Sequence, residues 1–371
     1  MPEMLLIQPD TQVLGKSSFT PPIMHLAEHD PAALRRFTAL PDHQLTILGP
    51  RRIPSLTCPS SSSDTAIPIS TSTGFSMLEN RDYIAQAQKL DPDIVIGLAD
   101  LPSGSSVSTR RLQNVTARTG DWTQHLTAAN SEANTHRHLN LFAPILPLSL
   151  EAQRLYLDTL ADDLSDAIDG LAIYSTASAT LIPPTLTHLP RLSMSNSSSN
   201  GGGIGTPHQI LREVLLGVDL FAVAFVNACT DGGVALVFEF PAPVGMHGTT
   251  DRRLEMGLDM WTDEHVTELS PLAAGCGCYT CRKHHRAYIH HLLVAKEMLA
   301  WTLLQVHNLA VMDRFFEGIR GSIEGGGFEG DVTVFEEVYV GELSLRGKEM
   351  GRGPRYVHPW FKSAMEMRNE S

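Results

Sequence analysis

The sequence predicts an α/β fold, a (β/α)8 barrel with a compact helical module set toward its C-terminal end. Two observations lead there. Short apolar runs of strand length alternate with amphipathic helical stretches over most of the 371 residues, the pattern of a parallel sheet with helical crossovers. So many such units in one chain favour a barrel over a doubly wound sheet. The alternation then stops at a run holding Cys276, Cys278 and Cys281, with His307 downstream. The expected layout is one domain over residues 1–345 that includes the module at about 270–320, and a mobile basic tail over 346–371.

The elements follow in order. Residues 20–57 read as short strands and turns around one helical segment near 30–38, with Asp30 placed to cap it and Pro31 at its first position. The Ser-rich stretch 59–63 predicts an exposed loop. Residues 81–90 are helix-like, and 93–97 make a short buried strand. Residues 141–146 are the next strand. Ser149 can cap a helix over 150–160, whose helical signal continues through 163–169. Strands are expected at 170–173 and 190–194. The Ser/Asn/Gly tract 195–205 reads as a flexible loop. Neither glycine triplet, 201–203 or 325–327, is followed by the Gly-Lys-Ser/Thr of a phosphate cradle. Thr206 and Pro207 open a helix that runs through Leu216, and 218–225 reads as a strand. Beyond the cysteines, 282–299 and 304–320 look like two amphipathic helices. Leu292, Leu299, Leu303, Val306 and Ala310 have the spacing of a buried stripe. His284, His285, His290 and His291 crowd the first helix and read as surface or hydrogen-bonded core histidines.

Bulk composition narrows the function. The net charge of −13 argues against a stand-alone nucleic-acid binder, which needs local basic surface. No apolar run reaches the roughly 18 residues of a membrane span. The first ten residues place Glu3 before Leu5, Leu6 and Ile7 and lack a basic segment, which makes a poor signal or transit peptide. Of five cysteines, only Cys58 and Cys229 lie outside the run. That is no disulfide framework, and a reducing compartment is expected.

Three thiolates and one imidazole make a closed tetrahedral shell of the kind a structural Zn²⁺ takes; a catalytic zinc keeps an open position. The C-x-C-x2-C spacing lets one tight turn present three sulfurs to one point, with Gly277 expected to relieve crowding there. The alternative is a cluster of stray thiols.

The string Cys276-x-Cys278-x2-Cys281-Arg-x3-Arg286-Ala-Tyr288-x2-His291-Leu, followed by Glu297 and then Val306-His307-Asn308-Leu309, closely resembles the zinc-binding region of tRNA-guanine transglycosylases. These are TIM-barrel enzymes that exchange guanine at the wobble position of certain tRNAs. The stretch 170–173, the pair Gly203 and Gly205, and Gly217-Val-Asp219-Leu-Phe221 look like successive landmarks of that barrel, so the resemblance covers about 20–335. It implies one structural Zn²⁺ per chain on Cys276, Cys278, Cys281 and His307.

The catalytic landmarks do not carry over. In active members a phrase like Gly-x-Asp-Met-Phe is followed at once by the aspartate that attacks the ribose, then by Pro-Thr-Arg. Here Ala222 stands in that place and no Pro-Thr-Arg follows. Alanine has no nucleophile with which to form the covalent intermediate. The second catalytic aspartate precedes a Ser-Gly-Gly-Phe-Gln segment; the matching stretch 70–76 puts Thr71 there. The base-recognition loop is replaced by 174–178, from Tyr174 to Ser178, and the purine-binding aspartate falls at Ala99 or at Asp100. The resemblance therefore implies a non-catalytic subunit with no catalytic residue of its own. It would form a heterodimer with a catalytic queuine tRNA-ribosyltransferase subunit and bind tRNA through the complex. That enzyme places queuine at the wobble position of tRNAs with GUN anticodons, those for aspartate, asparagine, histidine and tyrosine. The resemblance further implies a cytoplasmic location, peripheral at the mitochondrial outer membrane. Arg282, Lys283 and Arg286 are candidates for RNA contact, against the plainer role of a solvated helix face. Two readings compete: an active transglycosylase with Asp219 as nucleophile, and a zinc-containing scaffold with no RNA role.

Overall fold

A parallel sheet covered on both faces needs strands that are apolar throughout, and the central strands of this chain, at 94–96, 141–145 and 170–173, are of that kind. The computed structural model describes residues 4–7, 22–30, 32–51, 53, 58, 60–71, 74–102, 108–132, 138–194, 205–243 and 253–341. The first half runs β1 (Met4–Ile7), α1 (Pro22–Leu26), α2 (Ala33–Thr38), β2 (Leu45–Leu48), β3 (Ala66–Thr71), β4 (Gly74–Glu79), α3 (Asn80–Leu90), β5 (Ile94–Ile96), α4 (Thr109–Glu132), β6 (Asn140–Ile145), α5 (Leu150–Asp162), β7 (Gly170–Ile173) and β8 (Arg191–Ser193). The second half runs α6 (Pro207–Leu215), β9 (Leu220–Phe221), α7 (Phe225–Gly232), β10 (Val234–Leu236), β11 (Gly257–Asp259), α8 (Tyr279–Lys283), α9 (Arg286–Val294), α10 (Met298–Glu324) and α11 (Phe328–Val338). The chain groups into two compact units: Met1–Asn196 with Leu216–Ala222, and Ser197–Leu215 with Val223–Ser371.

The first unit holds a seven-stranded sheet in the order β1-β2-β5-β6-β7-β8-β9, with every neighbouring pair parallel. Alternation along each strand divides the side chains between two faces. Ile47, Ile94, Ile96, Phe142, Ala172 and Leu192 share one cluster. Leu48, Val95 and Leu141 turn the other way, beneath Tyr83 of α3 and Trp122 of α4. Ala143, Ile145 and Leu171 pack on Tyr156, Leu157 and Leu160 of α5. The Tyr83 hydroxyl donates to the carbonyls of Leu48 (3.0 Å) and Ile96 (2.6 Å), pinning α3 across β2 and β5. At Gly170 a Cβ would stand 2.5 Å from the Phe142 ring, so β6 and β7 close only over glycine. Among the described residues the seven strands form one continuous parallel row, in which β9 pairs only with β8 and β1 only with β2, an arc of the expected barrel.

Several expectations need adjustment. The first residues, read as a poor leader, supply β1, paired with β2 from Met4 opposite Leu45. No element was expected between 97 and 141, where the 24-residue α4 lies. Its buried face mixes Val115, Trp122 and Leu126 with Thr119, Thr123 and Thr127, which hides the apolar period. Each threonine hydroxyl donates one turn back, Thr119 to Val115 O and Thr123 to Thr119 O at 2.8 Å, so burial leaves none of the three unsatisfied. Ser149 caps α5 as expected by accepting from Ala152 N–H, but the helix ends at Asp162. Asp169 instead accepts from Leu141 N–H with its carboxylate. The strand expected over 218–225 shortens to β9, because α7 begins at Phe225. Asp30 accepts from Ala32 N–H, just ahead of α2. The tract 195–204 and the tail beyond 341 lie outside the described residues.

In the second unit β10 and β11 form an antiparallel ribbon. Ala235, Met260, Leu272, Ile289, Leu293, Trp301 and Leu304 make its core with α9 and α10. Phe238, Phe315, Phe335 and Tyr339 form an aromatic cluster beside them. The helix expected over 282–299 breaks at His284 into α8 and α9. A left-handed turn at Lys296, φ 59°, then starts α10 at Met298 rather than at 304. The buried stripe is rotated accordingly. Leu292 and Leu303 are buried, whereas Leu299 and Val306 face outward. Trp301, Leu304, His307, Asn308, Val311 and Phe315 take the inner face.

Candidate metal centre

The knuckle is built by one turn and the short helix that follows it. Gly275 has φ 71°, in the left-handed region where a side chain is strained. Gly277, expected to be the relieving residue, has ordinary φ and open space around its Cα, so the turn depends on Gly275 instead. Cys276 N–H donates to Ala273 O, and Cys278 caps α8 with its sulfur accepting from Cys281 N–H at 3.4 Å. Buried Thr280 donates to Leu303 O (2.7 Å), which ties α8 to α10 and sets the sulfurs opposite His307.

The three sulfurs lie 3.7, 3.6 and 3.4 Å from His307 Nδ1, for Cys276, Cys278 and Cys281 in turn. All four ligand atoms lie within 4.8 Å of one another. A tetrahedral zinc with Zn–S about 2.3 Å and Zn–N about 2.0 Å puts sulfur and nitrogen about 3.5 Å apart. The donor set and its spacing therefore fit Zn²⁺, with no position left open. The imidazole is prepared for the role. Its Nε2 lies 2.8 Å from Leu236 O, which can only accept, so Nε2 carries the proton and Nδ1 presents its lone pair. Burial pushes the His307 pKa down to about 4, so the ring is neutral at physiological pH.

The remaining candidates around the knuckle sort themselves by their contacts. His290 Nδ1 lies 2.9 Å from Met260 O. His285 caps α9 by accepting from Tyr288 N–H, and His284 stacks on Tyr288 with ring centres 5.0 Å apart. His290 and His285 are hydrogen-bonded structural histidines, His284 is held by ring stacking, and His291 is exposed. Arg286 donates to Pro271 O and Leu272 O, so its guanidinium holds the loop ahead of the knuckle. Arg282 and Lys283 are exposed. Cys58 and Cys229 stand apart from the cluster, and burial raises both thiols above their ordinary pKa.

In the first unit, the carboxyl ends of the parallel strands are where such sheets place their chemistry. Ala222 follows β9 there, with its N–H donating to Ser193 O and its side chain against the interior cluster. Asp219 precedes β9, at the opposite end. It is exposed, and its carboxylate accepts from Arg191 N–H at 2.9 Å. Thr71 closes the β3–β4 hairpin by donating to Gly74 O. Of the two residues considered for base binding, Ala99 is buried and its carbonyl accepts from Arg51. Asp100 is fully buried. One carboxylate oxygen accepts from Ser62 (2.7 Å) and Arg111 (3.0 Å), the other from Arg118 (3.3 Å). Tyr174 follows β7, and burial pushes its hydroxyl up to about 12. Ser178 donates to Leu146 O. The two arginines were not foreseen. They stand two turns apart on α4, a signal readable only once that helix is known.

The family described as queuine tRNA-ribosyltransferase matches residues 18–340. The chain belongs to the queuine tRNA-ribosyltransferase family. A Schizosaccharomyces pombe protein named queuine tRNA-ribosyltransferase accessory subunit 2 is 36% identical over 330 residues, which covers 87% of this chain and 70% of that protein. A protein of the same name from Drosophila pseudoobscura pseudoobscura is 28% identical over 341 residues, 86% of this chain and 79% of that protein. A Dehalococcoides mccartyi protein named queuine tRNA-ribosyltransferase is 28% identical over 248 residues, 67% of this chain and 58% of that protein. The Cys276, Cys278, Cys281 and His307 cluster is consistent with the zinc of the queuine tRNA-ribosyltransferase family. Among the described residues no helix is long and apolar enough to cross a membrane.

Proposed function

We propose that this chain is the non-catalytic subunit of a queuine tRNA-ribosyltransferase heterodimer. It supports the exchange of guanine for queuine at the wobble position of tRNAs with GUN anticodons, and its partner performs the chemistry. One observation carries the proposal: the position matched to the nucleophilic aspartate is Ala222, at the carboxyl end of β9, where a methyl group cannot form a glycosyl intermediate. The relatives named accessory subunit 2 point the same way. So does Asp100, whose buried carboxylate accepts from Ser62, Arg111 and Arg118 within the protein. Thr71 stands where the second carboxylate would be, with its hydroxyl turned to Gly74.

The same reading includes a closed (β/α)8 barrel over 1–345 with the zinc module embedded in it, a structural zinc that holds α8 and α10 in place, and tRNA bound across both subunits. It places the heterodimer in the cytoplasm, peripheral at the mitochondrial outer membrane. Leu299, Val306 and Leu309 present apolar side chains to solvent along α10, with Met298 and Val294 beside them. A subunit buries surface of that kind against its partner. The alternative with Asp219 as nucleophile has no support from its position: that carboxylate sits at the amino end of its strand, bonded to Arg191.

The test is incorporation of labelled guanine or queuine into tRNA by this chain alone, by a catalytic subunit alone, and by both. The expected result is no turnover by this chain and turnover by the pair, with one complex on size exclusion. Turnover by this chain alone, lost in Asp219→Asn, overturns the proposal in favour of an active enzyme. Failure to bind any catalytic homologue overturns it in favour of a scaffold.

A further inference from the structure

His307 is followed at once by Asn308, and the two side chains act on one residue of a distant strand. β10 pairs with β11 along one edge, through Ala235 opposite Leu258. Its other edge presents Val234 O, Leu236 N–H and Leu236 O, because strand residues of like parity point the same way. No strand meets that edge among the described residues. It is met by α10. Asn308 Nδ2 donates to Val234 O at 3.0 Å, Asn308 Oδ1 accepts from Leu236 N–H at 2.9 Å, and His307 Nε2 donates to Leu236 O at 2.8 Å. A carboxamide thus pairs with the strand as a peptide group would. Its second donor hydrogen goes to Thr230 Oγ1 of α7 at 3.1 Å. Asn308 and His307 are both fully buried, so no water can substitute at these contacts.

We infer that Asn308 is a positioning residue for the metal centre. By fixing Leu236 it aims the carbonyl that holds the His307 ring and its tautomer, and so it controls how firmly the ion is retained. The order of cause matters. Leu236 O can orient His307 only if the strand carrying it is itself held. Among the described residues, the side chain that grips both Val234 and Leu236 is Asn308. Asparagine suits the place because it offers an acceptor and two donors in one plane; alanine offers neither, and aspartate offers no donor. Outer-shell partners of metal-bound histidines typically change metal affinity by about 10- to 100-fold when removed. The inference rests on the four-ligand metal site and is independent of whether the chain is catalytic.

The experiment follows zinc release from the full-length protein to a chromogenic chelator, without any base-exchange assay. It also records the visible spectrum of the Co²⁺-substituted protein, which reports ligand geometry. Asn308→Ala is expected to speed release about 10- to 100-fold and to shift the Co²⁺ bands. Asn308→Asp keeps the volume and the acceptor for Leu236 N–H but loses both donors. Its release rate is expected between those of wild type and alanine, and it carries the test if alanine does not fold. Thr230→Val removes only the far partner of the carboxamide; it is expected to lower the melting temperature while leaving zinc release near wild type. A wild-type release rate in Asn308→Ala, or in Asn308→Asp where alanine does not fold, overturns the inference. Equally fast release from Thr230→Val also overturns it, because the effect would then be general loosening. A wild-type protein purified without zinc removes the metal centre itself, and the role with it.

Discussion

The metal centre and the carboxyl ends of the parallel strands are built from similar materials and treat them in opposite ways. At the knuckle, buried polar groups are arranged so that a coordinating atom is left free. Leu236 O accepts from Nε2–H of His307 so that Nδ1 stays bare, and Thr280 anchors the helix that Cys278 caps and that carries Cys281. At the strand ends, polar groups are consumed internally. Asp100 is held by two arginines and a serine, Thr71 by its own hairpin, and Ala222 has nothing to give. One network presents chemistry to a ligand and the other closes over it. The proposed function, shape rather than turnover, needs the first kind and is not harmed by the second.

The sharpest way to break the comparison is to remove the metal. Cys278→Ser takes away one thiolate ligand but leaves a hydroxyl able to cap α8, so the effect it reads is that of the metal. A structural zinc contributes about 10–16 kcal/mol of apparent binding free energy in small domains, and that energy is folding energy. The variant is expected to lose its zinc, to melt early in α8 to α10, and to bind its partner poorly. Elemental analysis beside a circular dichroism melt reads this out. A metal-free variant with a wild-type melt would mean that the knuckle stabilises nothing.

The next largest effect lies at Asp100. Removing this buried carboxylate takes the Asp100 ion pair from Arg111, whereas Arg118 keeps its pair with Asp64 at 2.8 Å; both arginines are only partly exposed. Breaking a buried ion pair from one side costs about 3–5 kcal/mol, and the residual exposure of the arginines places Asp100→Ala near about 3 kcal/mol. Urea unfolding measures it. A loss below about 1 kcal/mol would show that the arginines find water instead, and that the site is more open than its contacts imply.

The two regions also differed in how much the sequence disclosed. The knuckle was legible because its ligands are chemically rare, three of them are local in sequence, and their spacing alone encodes a geometry. Gly277 misled because position in the motif suggested strain that the backbone places at Gly275. The Asp100 cluster was invisible for the opposite reason. Arginines and threonines are common, their partners lie 11 and 18 positions away, and the helix that carries them hides its period behind self-bonded threonines. The inner face of α10 was misplaced because two of its buried positions, His307 and Asn308, are polar and do not count toward an apolar stripe. The strands β5 to β9 were readable as short apolar runs, whereas the antiparallel pairs β3 with β4 and β10 with β11 were not expected. Nor was β1, because a short apolar run at a chain start looks the same as a weak leader.

Acid should act on the metal centre with a definite sign. The His307 pKa is about 4 in the folded chain and near 6.5 when unfolded. Between those values the unfolded chain binds a proton that the folded chain refuses. Its contribution is therefore complete above about pH 6.5 and declines as the pH falls toward 4. Protonation of the thiolates on metal loss has the same sign. Urea midpoints measured from pH 7.5 to 4 should fall most steeply below 6.5, with zinc leaving over the same range. Midpoints flat to pH 4.5 would mean that His307 is not held neutral by its surroundings.

The smallest effect is expected where a single residue looks most decisive. Ala222→Asp puts a carboxylate at the carboxyl end of β9, the position that the sequence resemblance matches to the family nucleophile, yet under the proposed function this chain alone should still exchange no guanine above blank. A nucleophile accelerates only a substrate held in attack geometry. Under the proposed function the positions matched to the base-holding groups are occupied otherwise: Asp100 accepts from Arg111, Arg118 and Ser62, Thr71 is bonded to Gly74, and the segment after β7 presents half-buried Tyr174 and a turn tied to Leu146 through Ser178. Zinc content and partner binding should stay at wild-type levels, since neither depends on residue 222. The assay is labelled guanine exchange by the variant alone, with zinc content measured in parallel. Any steady turnover would show that one alanine is all that separates this subunit from an enzyme, and that the closed network at the strand ends opens to substrate after all.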